Sequence, residues 1–470
     1  MEKKPGIHFI GIGGVGMSGL ARILIEKGVP VTGSDTRSTR LTQFLEKSGA
    51  RVYTGHRKTN IRDAGLVVVS SAITSSNPEL KEAARRKIEI ISRAQMLARL
   101  MRDKKKIVVT GTHGKTTTTS MLSLIFSRCG LRPAFAIGGE VKLLGGNSSS
   151  GGGEYFIAEG DESDASFLEL DPDMAIVTNI EPEHLDHYGS FTALKKAFRK
   201  FISLVPPEGT SVLNADDKVV SEMVKGGHAG RGRLFTFAVS GENATFTAEK
   251  IKLEQWKSEC VVCMRGRKLG VLRLNVPGLH NISNALAASG AAIAAGIKFG
   301  RIGNALKDFR GALRRFEVKG EESGVLVVDD YAHHPSEIEA TMAAARGLNR
   351  KRIIVIFQPH RYSRTRLLSN ELGQALYPTD VIIITRIYSA GEKAIKGVTA
   401  RLILEGIKGR KAEYMPDRSK IVSHIMNIAE KGDMVLTLGA GDVYRIGEEV
   451  LERLKSRSKK NKAGHLRKNM

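Results

Sequence analysis

The 470-residue chain has three cysteines, one tryptophan and only 6% aromatic residues. Three thiols cannot build a disulfide framework. Cys260 and Cys263 form one C-x-x-C, but no second pair exists for a zinc site. In a strand, residues i and i+3 also point to opposite faces, so simple burial is expected of them. Scarce aromatics argue against a single-stranded nucleic-acid binder, which stacks bases on rings. No apolar run is long enough to span a bilayer; the longest, Ala285 to Ile297, is short and rich in Ala, Gly and Ser. No signal-peptide core stands between Met1 and the strand near Ile7, so the cytoplasm is the expected compartment. Acid is in short supply as well, with 49 Asp and Glu against 73 Lys and Arg, a formal charge of +24. Seven of the positive charges and no acid fall in 455–470, which reads as a basic tail, expected to be disordered. They account for under a third of the excess, so the body is basic too. That suits polyanionic ligands such as nucleotides, and equally nucleic acid or a membrane surface.

What is present begins with Ile107-Val108-Val109-Thr110-Gly111-Thr112-His113-Gly114-Lys115-Thr116-Thr117. A β-branched run ends in a Gly-flanked turn, and Ser120 to Ser127 continues with helical apolar spacing. This strand–loop–helix context is what a phosphate-binding loop needs, because backbone N–H groups and the helix dipole face an anion there. Lys115 would reach the terminal phosphates and the Thr116 hydroxyl would hold Mg²⁺. The loop is a shortened variant, its first Gly standing at 111.

Further upstream, a short strand at Ile7 to Ile10 leads into Gly11, Gly13, Gly14 and Gly16 in a G-x-G-x-x-G setting, with Asp35 about twenty residues on. Physically this says that backbone can approach a diphosphate at a helix N-terminus. An NAD cofactor and a UDP-sugar both carry one. Three later apolar strands deliver acids or His to their carboxyl ends: Glu159-Gly160-Asp161-Glu162-Ser163-Asp164, Glu181-Pro182-Glu183-His184-Leu185-Asp186-His187, and Asp216-Asp217. Beside a phosphate loop, these predict a metal–phosphate cluster. An alternating pattern from Thr245 to Val276 predicts antiparallel strands, and a helix follows from Gly278. A third βα series starts at Val325, with loops Asp329-Asp330-Tyr331-Ala332-His333-His334-Pro335 and Gln358-Pro359-His360-Arg361-Tyr362-Ser363-Arg364-Thr365. The fold class is α/β in three domains: a Rossmann-like domain over 1–103, a central P-loop domain with an added antiparallel portion over 104–314, and a second Rossmann-like domain over 315–454.

Taken in order, GIGGVGMSG, GTHGKTTT, EGDESD, NIEPEHLDHY, HNISNALA, RRFE, DDYAHHP and QPHRYSRT resemble the Mur ligases, nearly end to end. The resemblance implies an ATP-dependent amide ligase acting through an acyl phosphate. The glycine-rich start with QPHRYSRT points to the alanine-adding branch, with UDP-N-acetylmuramate and L-alanine as partners. By that resemblance Gly11, Gly13, Gly14 and Gly16 would meet the UDP end. Gly111, Thr112, His113, Gly114, Lys115, Thr116 and Thr117 would bind ATP, helped by Asn281 on adenine, Asp330 on the ribose and Arg315 on the phosphates. Thr116 and Glu159 would ligate one Mg²⁺ and His184 a second. Tyr331, His333, Arg361 and Arg364 would gather alanine and the muramoyl carboxylate, Lys115, His184, Arg361 and Arg364 being the catalytic set. His187 is expected to be a satisfied surface or loop histidine, and His334 and His360 to pack or to support the residues that touch substrate. Ala332 stands where the branch carries Gly, as in a sibling that reattaches murein tripeptide. Lys195, Lys196 and Lys200 lie where other members carry a carbamylated lysine, and none is assigned that role. The competing readings are that tripeptide-recycling ligase, an NAD-binding oxidoreductase built on the first glycine loop, and a nucleic-acid-binding ATPase. A monomer or weak homodimer is expected, with no nucleic-acid partner and no membrane span.

Overall fold

The structure is a computed structural model. It describes residues 5–468 apart from Glu242, Lys408 and Arg410, with side chains at all of these except Asp186 and 459–468. The stretch 455–470, expected to be a disordered basic tail, instead continues the helix Tyr444–Lys468 as far as it is described. No described helix is long and apolar enough to cross a membrane. The chain divides into two compact units, Met1–Lys252 with Ser258–Arg310, and Leu253–Lys257 with Gly311–Met470. Three α/β domains, each with its own sheet, are distributed between them.

In the first unit, β1 (Gly6–Ile10), β2 (Val31–Asp35), β3 (Arg51–Thr54), β4 (Ala64–Val69) and β5 (Glu89–Ser92) form a sheet in the order β3-β2-β1-β4-β5. All its pairings are parallel. Strand order reverses between β1 and β4, so the glycine turn after β1 opens at a switch point, where such sheets bind ligands. The helix Val15–Glu26 follows at once and also supports the next sheet: Val15 O accepts from Asn147 Nδ2 at 2.8 Å, and Arg22 donates to Gly145 O at 2.8 Å.

The central sheet has ten strands: β6 (Lys105–Thr110), β7 (Ala134–Val141), β8 (Gly146–Ser149), β9 (Tyr155–Glu159), β10 (Met174–Val177), β11 (Thr210–Asn214), β12 (Arg233–Ala238), β13 (Phe246–Glu254), β14 (Lys257–Met264) and β15 (Arg267–Leu274). Their order is β15-β14-β13-β12-β11-β10-β6-β9-β7-β8. β14 and β15 are antiparallel, as the alternating pattern predicts, and Cys260 and Cys263 on β14 are both buried and free. Ile107 to Thr110 are buried because helices cover both faces, which is why the run is continuously β-branched rather than alternating. Above all, β6 lies between β9 and β10. That neighbourhood brings three loops to one edge.

The second unit holds β16 (Glu317–Glu322), β17 (Val325–Asp330), β18 (Ile353–Phe357), β19 (Val381–Ile384), β20 (Ala412–Tyr414) and β21 (Met434–Leu438), in the order β16-β17-β21-β18-β19-β20. Only β16 runs antiparallel to its neighbour. Residues alternate between two cores, with Val328, Val355 and Leu436 in one and Val327, Ile354 and Val435 in the other. The sheet is therefore covered on both faces, and the carboxyl ends of β17 and β18 carry Asp330, Tyr331, His333, Arg361 and Arg364.

Candidate active site

The loop Gly111–Gly114 turns from β6 into the helix Lys115–Arg128. Gly111 has φ +134°, and a Cβ there would lie 2.1 Å from Thr178 Oγ1. Gly114 has φ +79°, and a Cβ would meet Asn284 Oδ1 at 2.4 Å. Neither position admits a side chain. The loop is stitched to the segment after β10: His113 N donates to Asn179 Oδ1 at 2.8 Å, Asn179 Nδ2 donates back to His113 O at 3.0 Å, and Glu181 N donates to Thr112 Oγ1 at 2.8 Å. His113 Nε2 lies 3.3 Å from Glu181 Oε2. These bonds fix the backbone amides before any anion arrives. Thr117 is buried in the first turn of the helix.

Lys115 Nζ donates to Gly111 O at 2.6 Å, Thr112 O at 2.9 Å and Glu162 Oε1 at 2.9 Å. Burial alone would lower its pKa, but Glu162, Glu159 and Asp161 outweigh that and hold the ammonium above the ordinary lysine value. Burial pushes Glu162 up to about 7, against the pull of Lys115 and with the repulsion of Asp161 added. Thr116 Oγ1 lies 3.1 and 3.0 Å from the two carboxylate oxygens of Glu159, at the end of β9. Gly138 N, on β7, donates to Glu159 Oε2 at 2.7 Å and sets its orientation. His184, expected on the neighbouring loop, is held at φ +56°, with Nε2 3.6 Å from Glu162 Oε1 and 3.6 Å from Glu183 Oε2. His187 is exposed and packs edge-on against Tyr188. At the start of the helix Leu279–Ala294, buried Asn281 donates to Pro277 O at 2.7 Å.

The first glycine loop is separate from these loops. Gly13 N donates to Asp35 Oδ2 at 2.9 Å, so the acid at the end of β2 caps the loop amide. Arg93, at the start of the helix Arg93–Met101, pairs with Asp161 at 3.1 Å and ties the first domain to the acidic loop.

In the second unit, both Asp330 oxygens accept backbone N–H groups at 2.7 Å, from Phe316 and Ala332. Burial pushes Asp330 up to about 6, although Arg315 and these bonds pull it down. Arg315 lies over the Tyr331 ring at 5.3 Å and 3.4 Å from Glu337. His333 Nδ1 is 3.0 Å from Tyr331 O and 3.2 Å from Glu337, and its ring lies 5.3 Å from that of His360. His360 stacks on Tyr388 and approaches Arg364 at 3.2 Å, and His334 caps the helix Pro335–Gly347. Arg361 caps the helix Tyr362–Ala375 with φ +70° and ψ 142°. Tyr331, His333, His360 and Arg364 thus form one connected patch on the loops after β17 and β18.

Three family models match consecutive stretches: "Mur ligase family, catalytic domain" over 6–105, "Mur ligase middle domain" over 109–292, and "Mur ligase, glutamate ligase domain" over 314–441. The chain belongs to the Mur ligase family. Among curated Mur ligases it is 48% identical to the UDP-N-acetylmuramate–L-alanine ligase of Pelotomaculum thermopropionicum, over 98% of this chain and 100% of that one. It is 44% identical to the enzyme of the same name from Geotalea daltonii, over 96% and 98%. The solved UDP-N-acetylmuramate–alanine ligase MurC of Thermotoga maritima superposes with a TM-score of 0.83 at 31% identity, covering 96% of this chain and 99% of that one. A murein peptide ligase of Psychrobacter arcticus gives 0.73 at 25%, covering 96% and 98%.

Sequence reasoning left several residues of this Mur ligase site without a role. Glu162 was legible only as one acid of a run, yet it alone among those acids takes the Lys115 ammonium. Asn284, one turn beyond Asn281, accepts from Thr118 Oγ1 at 3.2 Å and closes over Gly114. Asn179 secures the loop backbone. Short polar side chains that hold a backbone give no periodic signal, so only the fold exposes them.

Proposed function

We propose that this chain joins L-alanine to the carboxylate of UDP-N-acetylmuramate while converting ATP to ADP and phosphate. The observation that carries the reading is the Lys115–Thr116 loop beside Glu159 and His184. Near-full-length likeness to ligases of that name supports this amine over the tripeptide, and a nicotinamide reading leaves the P-loop without purpose. ATP phosphorylates the muramoyl carboxylate, the alanine amine attacks the acyl phosphate, and phosphate leaves. Such phosphoryl transfer asks mainly for positioning and charge neutralisation. The loop amides and the helix N-terminus would cradle the phosphates, and the Lys115 ammonium would offset charge on the γ-phosphate as it moves.

Thr116 and Glu159 fit a magnesium ion. Their oxygens are 3.0 and 3.1 Å apart, and neighbouring ligands on an octahedral ion with bonds of 2.0–2.1 Å sit about 2.9 Å apart. His184 would contact a second ion. Bound there, such ions would neutralise developing phosphate charge. Residues 1–103 would take the UDP end on Gly11, Gly13, Gly14 and Gly16. Asn281 and Arg315 would serve the nucleotide. Asp330 has both oxygens on backbone N–H groups, so a ribose hydroxyl would share those oxygens, as a carboxylate's four lone-pair sites permit. Tyr331, His333, Arg361 and Arg364 would hold alanine and the acceptor carboxylate, the guanidinium forks gripping two oxygens each. The cytoplasm is the setting where ATP and both substrates meet.

The test is phosphate release against a panel of amines. ADP and phosphate should appear only with Mg²⁺, UDP-N-acetylmuramate and L-alanine together. Equal turnover with L-Ala-D-Glu-diaminopimelate would move the chain to tripeptide recycling.

A further inference from the structure

Glu162 has no place in the chemistry above, although its side chain is only 2% exposed. Its Oε1 takes the Lys115 ammonium at 2.9 Å and lies 3.6 Å from His184 Nε2. Its Oε2 is buried with no hydrogen-bond partner. A buried carboxylate oxygen without a donor is rare in native proteins and invites an ion. Lys115 is folded back as well, with two further bonds to the carbonyls of Gly111 and Thr112. In that posture the ammonium satisfies the loop's own acceptors, and the phosphates it is to serve must draw it away. Its departure would leave a buried carboxylate that is compensated only by taking up a proton or another cation. The surroundings suit a divalent one. Two ligands on a single magnesium ion are separated by about 2.9 Å when adjacent and about 4.2 Å when opposite. His184 Nε2 stands 3.6 Å from Glu162 Oε1 and 3.6 Å from Glu183 Oε2, so a side-chain shift of about 0.7 Å would bring either pair to adjacent positions on one ion.

We propose that Glu162 is a cation-exchange position, holding the Lys115 ammonium at rest and a divalent cation shared with His184 once ATP has taken that ammonium. The inference rests on the reading of the loop as an ATP site and adds Glu162 to the ligands named there. Exchange keeps the buried carboxylate compensated throughout, and it links arrival of the second ion to arrival of the nucleotide. An oxygen donor also answers the preference of magnesium for oxygen over imidazole.

Mn²⁺ binding followed by electron paramagnetic resonance at pH 8 tests this without turnover. Lys115→Ala should bind Mn²⁺ in the absence of nucleotide about tenfold or more tightly than the parent, within the range that ligand-supporting groups command. The gain should vanish in Lys115→Ala/Glu162→Gln, a variant that removes both charges and leaves no ion uncompensated in the core. With a non-hydrolysable ATP analogue, the parent should bind two Mn²⁺ and Glu162→Gln one. No gain in Lys115→Ala, a gain that survives in the double variant, or two ions retained by Glu162→Gln would each overturn the proposal. A parent that binds analogue but only one Mn²⁺ would also overturn it. A parent that binds neither would instead remove the ATP reading itself, and this inference with it.

Discussion

Arg361 and His184 share a backbone peculiarity. Both have positive φ, +70° and +56°, where residues with a Cβ are uncommon. Arg361 with ψ 142° lies close to the region that glycine almost alone occupies, which costs on the order of 1–3 kcal/mol. Its N–H donates to Tyr388 O at 2.8 Å and its carbonyl accepts from Thr365, so the surrounding loop enforces the conformation. Strain of this kind is retained where a side chain must be aimed. Arg361→Gly would relieve it and keep the N–H bond, so thermal stability should hold or rise, by up to about 1–2 kcal/mol once the added chain entropy of glycine is subtracted. Ligation should nevertheless fall by about tenfold or more, and Arg361→Lys, which keeps the charge and loses the fork, should also be impaired. Melting curves beside turnover decide the matter. Parent-rate ligation by the glycine variant would place Arg361 outside the acceptor site.

Among elements, buried strands with continuous apolar runs were the legible ones. β1 begins one residue before the expected run Ile7 to Ile10, and β17 starts at the expected Val325. Short strands of mixed exposure were not legible. β3 reads Arg51-Val52-Tyr53-Thr54 with both ends exposed, and the β7–β8 hairpin is masked by its glycines. The first helix starts at Val15, inside the glycine motif, which conceals its opening turn. The loops after β6, β9 and β10 come to one edge because a parallel sheet sends all its carboxyl ends one way. The expected acidic pair after β11 is instead spent on backbone: Asp216 accepts from Val239 N, and Asp217 caps the helix Lys218–Lys225 and accepts from Ile180 N.

What no pattern announced is a polar cluster under the first sheet. Asn77 caps the helix Pro78–Arg85, accepting from Glu79 N and Leu80 N. An acid in a first turn ordinarily points to solvent. Glu79 is instead fully buried, accepting from Ser34 Oγ at 2.5 Å and Asn60 Nδ2 at 2.5 Å, with His8 Nε2 at 3.3 Å. Burial alone would raise its pKa, but the bonds from His8, Ser34 and Asn60 outweigh that and hold it below the usual 4.5. A depressed carboxylate stabilises the fold fully above its unfolded pKa, and that contribution is lost as pH falls through the folded value. Glu79→Gln should therefore cost on the order of 2–4 kcal/mol at pH 7. The difference from the parent should shrink below about pH 4.5. Urea denaturation at several pH values measures it, and a gap that is constant or widens in acid would refute the assignment.

Across the whole molecule, composition and motif order predict three domains, and three sheets are present, but their cores are not three independent ones. Phe9, Val68 and Leu97 of the first sheet and its helices belong to the same continuous cluster as Val108, Phe167, Phe198 and Phe201 of the central domain. The second unit has its own two clusters, one on each face of its sheet. Sequence could not reveal the fusion, because a residue facing a neighbouring domain has the same apolar character as one facing its own sheet. Cooperative unfolding follows shared packing rather than motif boundaries. Phe198 offers the sharpest test. It is fully buried, with its ring 5.2 Å from that of Phe167, so truncation leaves a cavity. Phe198→Ala should cost about 3–5 kcal/mol. If the first and central sheets unfold as one body, native-state hydrogen exchange should show that loss equally at the amides of β1 and β4 and at those of β6 and β10. Amides of β17, β18 and β21 should keep their parent protection, because their clusters contain no residue from the first unit. Undiminished protection in β1 and β4 would show that the first domain folds independently, despite the shared core.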